Sequence, residues 1–178
     1  MTGRLIAVVG PSGAGKDSVI AGMIARDPSL HWVRRAITRP ASGTEPFEPV
    51  SPTDFAIRRD AGAFALHWQA HGLSYGIPAE TLDRVRDGQT CLANLSRKML
   101  QQAARVFPDL SVLSITATPE TLAQRLAGRG RETPAEIAGR LSRNAPLPDG
   151  LSVVTIPNDG TLQAAVDQAL GALTPVRG

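Results

Sequence analysis

Lys16, Asp17 and Ser18 follow one another at the end of a run of small residues: Gly10, Pro11, Ser12, Gly13, Ala14 and Gly15. The apolar run Leu5–Val9 precedes this stretch. A helical pattern follows it, with Val19, Ile20, Met23 and Ile24 on one face. Two glycines with four residues between them, a lysine next, and a strand and helix on either side form the layout of a phosphate-binding P-loop. Glycines let consecutive backbone N–H groups turn inward and cradle phosphate oxygens. The helix N-terminus adds its positive end, and Lys16 would reach the β- and γ-phosphates. The chemistry implied is binding of a nucleoside triphosphate with Mg²⁺. The residue after the lysine is usually Ser or Thr, a magnesium ligand, but here it is Asp17. A carboxylate is a good ligand for a hard cation. Asp17 and Ser18 are therefore the two metal-ligand candidates, and Asp17 could instead only stabilise the helix start.

Three further groups carry chemistry. Arg34, Arg35, Thr38 and Arg39 precede Pro40. His67, Trp68, His71 and Tyr75 lie in a segment closed by Gly76. Arg125, Arg129 and Arg131 frame a basic turn, with Arg140 and Arg143 beyond it. If 32–37 is a strand, Arg34 faces away from Arg35. His67 and His71 read as packed or exposed histidines, Trp68 as a packing residue, and Cys91, the only cysteine, as a small buried apolar one.

Alternating elements must position these groups. Strands are predicted at 5–9, 32–37, 64–68, 73–75, 90–95, 111–116 and 152–156, and helices at 16–27, 79–87, 97–107, 119–128, 134–143 and 161–173. This alternation implies an α/β fold, a three-layer sandwich around a parallel sheet. Residues 38–78 break the rhythm, with a Pro-, Ser-, Thr- and Gly-rich stretch over 38–55 that reads as loop. They are the expected inserted lobe of a single domain whose core is 1–37 and 79–178. The 178 residues suit one such domain, and 42% hydrophobic content suits a packed core. With one cysteine there is no internal disulfide. The longest apolar run is far too short to span a bilayer, and no signal-peptide pattern is read, so a cytoplasmic setting without a membrane partner is expected. Net charge is +3, and all but two of the 19 basic residues are arginine. They form no basic stripe or reading motif for nucleic acid. They suit phosphorylated small molecules instead.

Taken together, these segments resemble the guanylate kinase superfamily of P-loop phosphotransferases. The resemblance runs over nearly the whole chain. It implies that the Thr38-Arg39-Pro40 segment opens an acceptor lobe and that the segment ending in Tyr75-Gly76 lines it. It also implies that an arginine-rich lid over about 125–143 closes on ATP, and that Asn158 lies in the adenine-side loop. The departures concern guanine. Where guanylate kinases place a base-reading glutamate before the lobe's tryptophan, this chain has His67. The acids expected within 91–96 are missing, with Asn94 among the residues there. The lobe's tyrosine expected within 45–51 is also missing, with Phe47 nearby. Each unpaired guanine donor would cost about 1–3 kcal/mol.

The remaining phosphate readers are similar to those of a guanylate-kinase-like branch of phosphonate catabolism whose acceptor is ribose 1,5-bisphosphate. Gly-Lys-Asp-Ser, Ile-Thr-Arg, His-Gly-Leu-x-Tyr-Gly, Arg-Gly-Arg-Glu and Asn-Asp-Gly all match. This resemblance implies transfer of the ATP γ-phosphoryl group to the acceptor's 1-phosphate. In it, ATP is held by residues 10–18 and Asn158, and the acceptor by Arg35, Thr38, Arg39, Tyr75 and Arg140. Lys16, Arg125, Arg129 and Arg131 are the catalytic residues. The alternatives are a guanylate or other nucleoside monophosphate kinase, and an inert binding module of the same fold. Lys16 and the arginines speak against the second.

Overall fold

The computed structural model describes residues 3–11, 14–40, 46–127 and 150–173. The expected 134–143 helix lies outside them. Five strands form a parallel sheet: β1 (Arg4–Val9), β2 (His31–Trp32), β7 (Thr90–Asn94), β8 (Ser111–Thr116) and β9 (Ser152–Pro157). Their spatial order is β2-β7-β1-β8-β9. Residues 5–9 of the central β1 are wholly buried. That is why the strand reads as an unbroken apolar run: it is covered on both faces.

Alternation along β1 divides the interior. Ile6 and Val8 pack with Val19, Ile20 and Met23 of α1 (Lys16–Arg26) and with Val166 of α6 (Leu162–Leu173). Leu5, Ala7 and Val9 face the other way, toward Leu100 and Ala103 of α4 (Leu100–Val106) and toward Phe107. Cys91 is buried among them, and burial pushes its thiol up to about 11, which leaves it protonated and inert at neutral pH.

A second sheet adds to that same apolar cluster. It consists of β4 (Phe47–Pro49), β3 (Arg35–Ile37), β6 (Leu73–Pro78) and β5 (Phe64–Ala70), in that order. Its Ile37, Phe47, Leu66, Trp68, Tyr75 and Ile77 share the interior with Leu5 and Val9. Burial of this face fixes the lobe against the main sheet.

Two expectations are corrected here. The predicted single strand over 32–37 is two strands in different sheets. His31 and Trp32 pair with β7, Val33 donates to the Leu92 carbonyl at 2.8 Å, and Arg35 begins the second sheet. Val33 and Arg34 carry the chain across, and no proline or glycine marks the break. The predicted loop over 38–55 contains β4 and the start of α2 (Pro52–Asp60). Ser51 caps that helix by accepting the Asp54 N–H at 3.1 Å, with Pro52 in the first turn. Arg58 of α2 grips both carboxylate oxygens of Glu48 at 2.8 and 2.9 Å, tying the helix to the sheet.

The remaining helices among the described residues are α3 (Glu80–Arg86) and α5 (Pro119–Ala127). A 3-10 turn at Arg97–Met99 leads into α4, where one continuous helix was expected.

Candidate active site

The loop from Gly10 to Lys16 joins the buried end of β1 to α1. Its shape depends on two glycines. A Cβ on Gly10 would lie 2.2 Å from the Ile115 carbonyl oxygen of β8. Gly15, the helix N-cap, is left-handed at φ 91, and a Cβ there would lie 2.5 Å from Asn158 Nδ2. Lys16 reaches back across the loop, and its Nζ donates to the Gly10 carbonyl at 2.6 Å. Ser12 and Gly13 lie outside the described residues.

A buried asparagine stands on either side of the loop. Asn158, just after β9, donates from Nδ2 to the Ala14 carbonyl at 2.8 Å. Its own carbonyl accepts from Arg125 Nη2 at 2.6 Å. Arg125, half-buried on α5, is thereby brought to the loop's outer rim. Thr118, at the start of α5, donates its N–H to Asp159 at 2.7 Å, and this bond, the largest influence on it, holds the Asp159 carboxyl below its usual range. On the other side, Asn94 at the end of β7 donates from Nδ2 to Asp17 Oδ1 at 2.9 Å and accepts from Trp32 Nε1 at 3.0 Å. Asp17 is half-buried, while Ser18 is exposed.

The second sheet gathers most of the expected acceptor residues. Strand alternation places Arg35, Phe47, Trp68 and Tyr75 on one face. The Arg35 guanidinium lies over the Tyr75 ring, 5.1 Å from its centre. Tyr75 in turn stacks on Trp68, 5.4 Å between centres and only 7° from parallel. Thr38 extends β3: its N–H donates to the Ser74 carbonyl at 3.1 Å, and its hydroxyl accepts the Ser74 N–H at 2.8 Å. The Thr38 hydroxyl oxygen is thus already engaged in closing the sheet.

Arg39 differs from its neighbours. Its guanidinium lies over Phe47, 4.5 Å from the ring centre, and its Nε is buried without a hydrogen-bond partner among the described residues. It lines a cleft of about 350 Å³ with Thr38, Pro40, Pro49, Val50 and Pro52. A buried, unsatisfied N–H is costly.

Arg34 is exposed, as are His67 and His71, and His71 occupies the β5–β6 turn with positive φ. Arg129, Arg131, Arg140 and Arg143 lie outside the described residues. Sequence reasoning missed two groups, Asn94 as a partner of Asp17 and Trp32 as a partner of Asn94. One signal could have found the first: an acid displaced into the loop beside a strand end lacking its acid.

A parallel sheet of order β2-β7-β1-β8-β9, with a glycine–lysine loop after its central strand and a small arginine-bearing second sheet, is a P-loop fold of the guanylate-kinase-like kind. The fold is shared with a guanylate kinase from Anaplasma phagocytophilum, at TM-score 0.72 and 17% identity, over 97% of this chain and 85% of that one. A gluconokinase from Sinorhizobium meliloti 1021 gives TM-score 0.57 at 16% identity, over 97% and 91%. No family model matches the chain. In sequence it is 52% identical over 171 residues to a ribose 1,5-bisphosphate phosphokinase PhnN of Ruegeria sp., covering 94% of this chain and 90% of that protein. It is 46% identical over 168 residues to the Brucella melitensis biotype 2 protein of that name, covering 92% and 88%. A bifunctional ribose 1,5-bisphosphokinase-thymidine phosphorylase of Azorhizobium caulinodans matches 97% of this chain at 44% identity, within 26% of its own length. The chain belongs to the ribose 1,5-bisphosphate phosphokinase family.

Proposed function

We propose that this protein transfers the γ-phosphoryl group of ATP to the 1-phosphate of ribose 1,5-bisphosphate. The products are 5-phospho-α-D-ribose 1-diphosphate and ADP. One observation carries this reading. A chain 52% identical to such a kinase carries Arg35 and Arg39 in its lobe and has no carboxylate at 67 or within 91–96, where guanine would need one.

An oxygen of the acceptor's 1-phosphate attacks the γ-phosphorus. The bond from that phosphorus to the bridging β,γ oxygen breaks, and the electron pair leaves with ADP. The acceptor phosphate is already ionised near neutral pH, so no general base is required. Catalysis is therefore alignment and charge neutralisation of a loose transition state.

Lys16 exchanges its bond to the Gly10 carbonyl for the β- and γ-phosphates, which the loop amides also hold. Arg125, tethered to the Asn158 carbonyl, stands at the rim of the loop to neutralise charge, with Arg129 and Arg131 beyond it in the chain. Asn158 spends its side chain on the loop itself, so its contribution to nucleotide binding is loop shape. Arg39 offers its guanidinium to the acceptor phosphate, with Arg35, Tyr75 and Arg140 as further acceptor contacts. Thr38 fixes the strand from which Arg39 projects.

Mg²⁺ retains most of its water and needs only one or two protein oxygens beside the phosphates. The Asp17 carboxylate, half-buried at the start of α1 and steadied by Asn94, fits that demand better than the exposed Ser18. When bound, the ion supplies charge neutralisation at the β- and γ-phosphates.

The acceptor assignment is tested by steady-state competition. With ATP and Mg²⁺, kcat/KM for ribose 1,5-bisphosphate should exceed that for GMP by at least about 30-fold, from two or more unpaired guanine donors at about 1–3 kcal/mol each. Comparable values for the two acceptors would make the protein a nucleotide kinase.

A further inference from the structure

Trp32, Asn94 and Asp17 come from β2, the end of β7 and the first turn of α1. One line of hydrogen bonds joins them, from Trp32 Nε1 to Asn94 Oδ1 at 3.0 Å and from Asn94 Nδ2 to Asp17 Oδ1 at 2.9 Å. Asn94 is only 6% exposed. An indole N–H can only donate, so its partner must be the amide oxygen. The amide NH₂ is thereby turned toward the carboxylate. A flipped amide would set oxygen against carboxylate on one side and donor against donor on the other, in a place where buried polar groups need partners. Trp32 therefore selects the orientation in which Asn94 serves Asp17.

The position of Asn94 gives this line its meaning. It pairs in register with Val8, two residues before the loop opens. P-loop enzymes generally hold their cation with a neutral hydroxyl on the loop and an aspartate on a strand. Here the loop carries the aspartate, and the strand end carries a neutral hydrogen-bonding residue. The formal charge of the pair is the same, −1, with the two roles exchanged.

We propose that Asn94, oriented by Trp32, is the positioning residue that aims the Asp17 carboxylate at the nucleotide-bound cation. The inference rests on the reading of Asp17 as a cation ligand. Without the amide, the Asp17 side chain in an open helical turn would sample several rotamers. With it, one carboxylate oxygen is fixed and the geometry of the other follows.

The test is calorimetric titration of the full-length enzyme with ADP, with and without Mg²⁺, together with Mn²⁺ binding to the ADP complex followed by electron paramagnetic resonance. Asn94→Ala should weaken Mg²⁺ and Mn²⁺ binding about 10–100-fold, as loss of a ligand-orienting partner does, and leave metal-free ADP affinity unchanged. Trp32→Phe, which keeps a ring in place, should weaken metal binding in the same direction by less. It also provides the readout should Asn94→Ala not fold. Asp17→Ser should lose metal affinity, and the exchanged pair Asp17→Ser with Asn94→Asp should regain it.

If Asp17→Ala weakens metal binding while Asn94→Ala and Trp32→Phe lower only the melting temperature, the positioning role is overturned and the ligand reading stands. If Asp17→Ala leaves metal binding unchanged, the ligand reading falls and takes the positioning role with it. Failure of the exchanged pair to regain affinity overturns the exchange of roles.

Discussion

At the residue scale, two side chains separate phosphate recognition from the rest of the lobe. Arg39 has a buried Nε with no hydrogen-bond partner among the described residues, whereas Thr38 beside it is hydrogen-bonded to Ser74. Removing Arg39 should therefore affect the acceptor and spare the nucleotide. Arg39→Ala is expected to lower kcat/KM for ribose 1,5-bisphosphate about 10–100-fold, as for loss of a charge-assisted hydrogen bond. The KM for ATP should stay within about twofold, measured by steady-state kinetics with each substrate varied in turn. Arg39→Lys should not restore activity, because an ammonium cannot offer the planar fork. Much of this site was legible in sequence, because glycines at fixed spacing, a lysine and an Ile-Thr-Arg run are local signals. The role of Asn94 was not. Its meaning lies in Asp17, 77 positions away, and in a tryptophan 62 positions away. Sequence could register only that an acid was missing there, whereas the structure shows what the amide does instead.

At the element scale, the loop is held between β8 and the turn after β9, and this constrains it more tightly than its glycine content alone suggests. Gly15→Ala would combine a left-handed backbone with a 2.5 Å contact to Asn158 Nδ2. It should cost about 1–3 kcal/mol by chemical denaturation and weaken ADP binding as the Asn158–Ala14 bond is displaced. The β2 element carries a pH dependence. Burial, then the Arg84 charge, lowers the His31 pKa below its usual 6.5, with Glu80 acting in the opposite sense. The unfolded chain thus takes up this proton first as pH falls. The stability contributed by neutral His31 is complete above about 6.5 and declines below it. Melting temperatures measured between about pH 7.5 and 5.5 should show this slope, and His31→Gln should flatten it. The central strands β1, β7 and β8 were readable because burial on both faces makes β1 a continuous apolar run and keeps β7 and β8 largely apolar. The crossing at Val33 and Arg34 was not, because nothing local distinguishes a strand that changes sheets from one that continues. The cap of α2 was visible at Ser51, Pro52 and Asp54 but was obscured by the turn-rich residues around it.

At the scale of the whole molecule, two sheets share one apolar cluster, and each positions the groups proposed to bind one substrate's phosphates. Around the loop after β1, Lys16 and Asp17 open α1 and Arg125 of α5 reaches the Asn158 carbonyl just after β9. The small sheet places Arg35, Arg39 and Tyr75 on elements packed against that same cluster. Parallel strands ending at one edge put the nucleotide loop there, as the general rule for such sheets requires. The acceptor identity is a property of this whole arrangement, since it depends on what the lobe retains and what it has lost relative to a nucleotide kinase. The measurement that tests it most directly is phosphorus NMR of the product formed from ribose 1,5-bisphosphate with ATP and Mg²⁺. A new pair of coupled diphosphate resonances should appear together with those of ADP, with the 5-phosphate resonance retained. Under the same conditions Lys16→Ala should slow their appearance by at least about 10²-fold. No diphosphate signal from ribose 1,5-bisphosphate, or an equal signal with Lys16→Ala, would contradict the assignment.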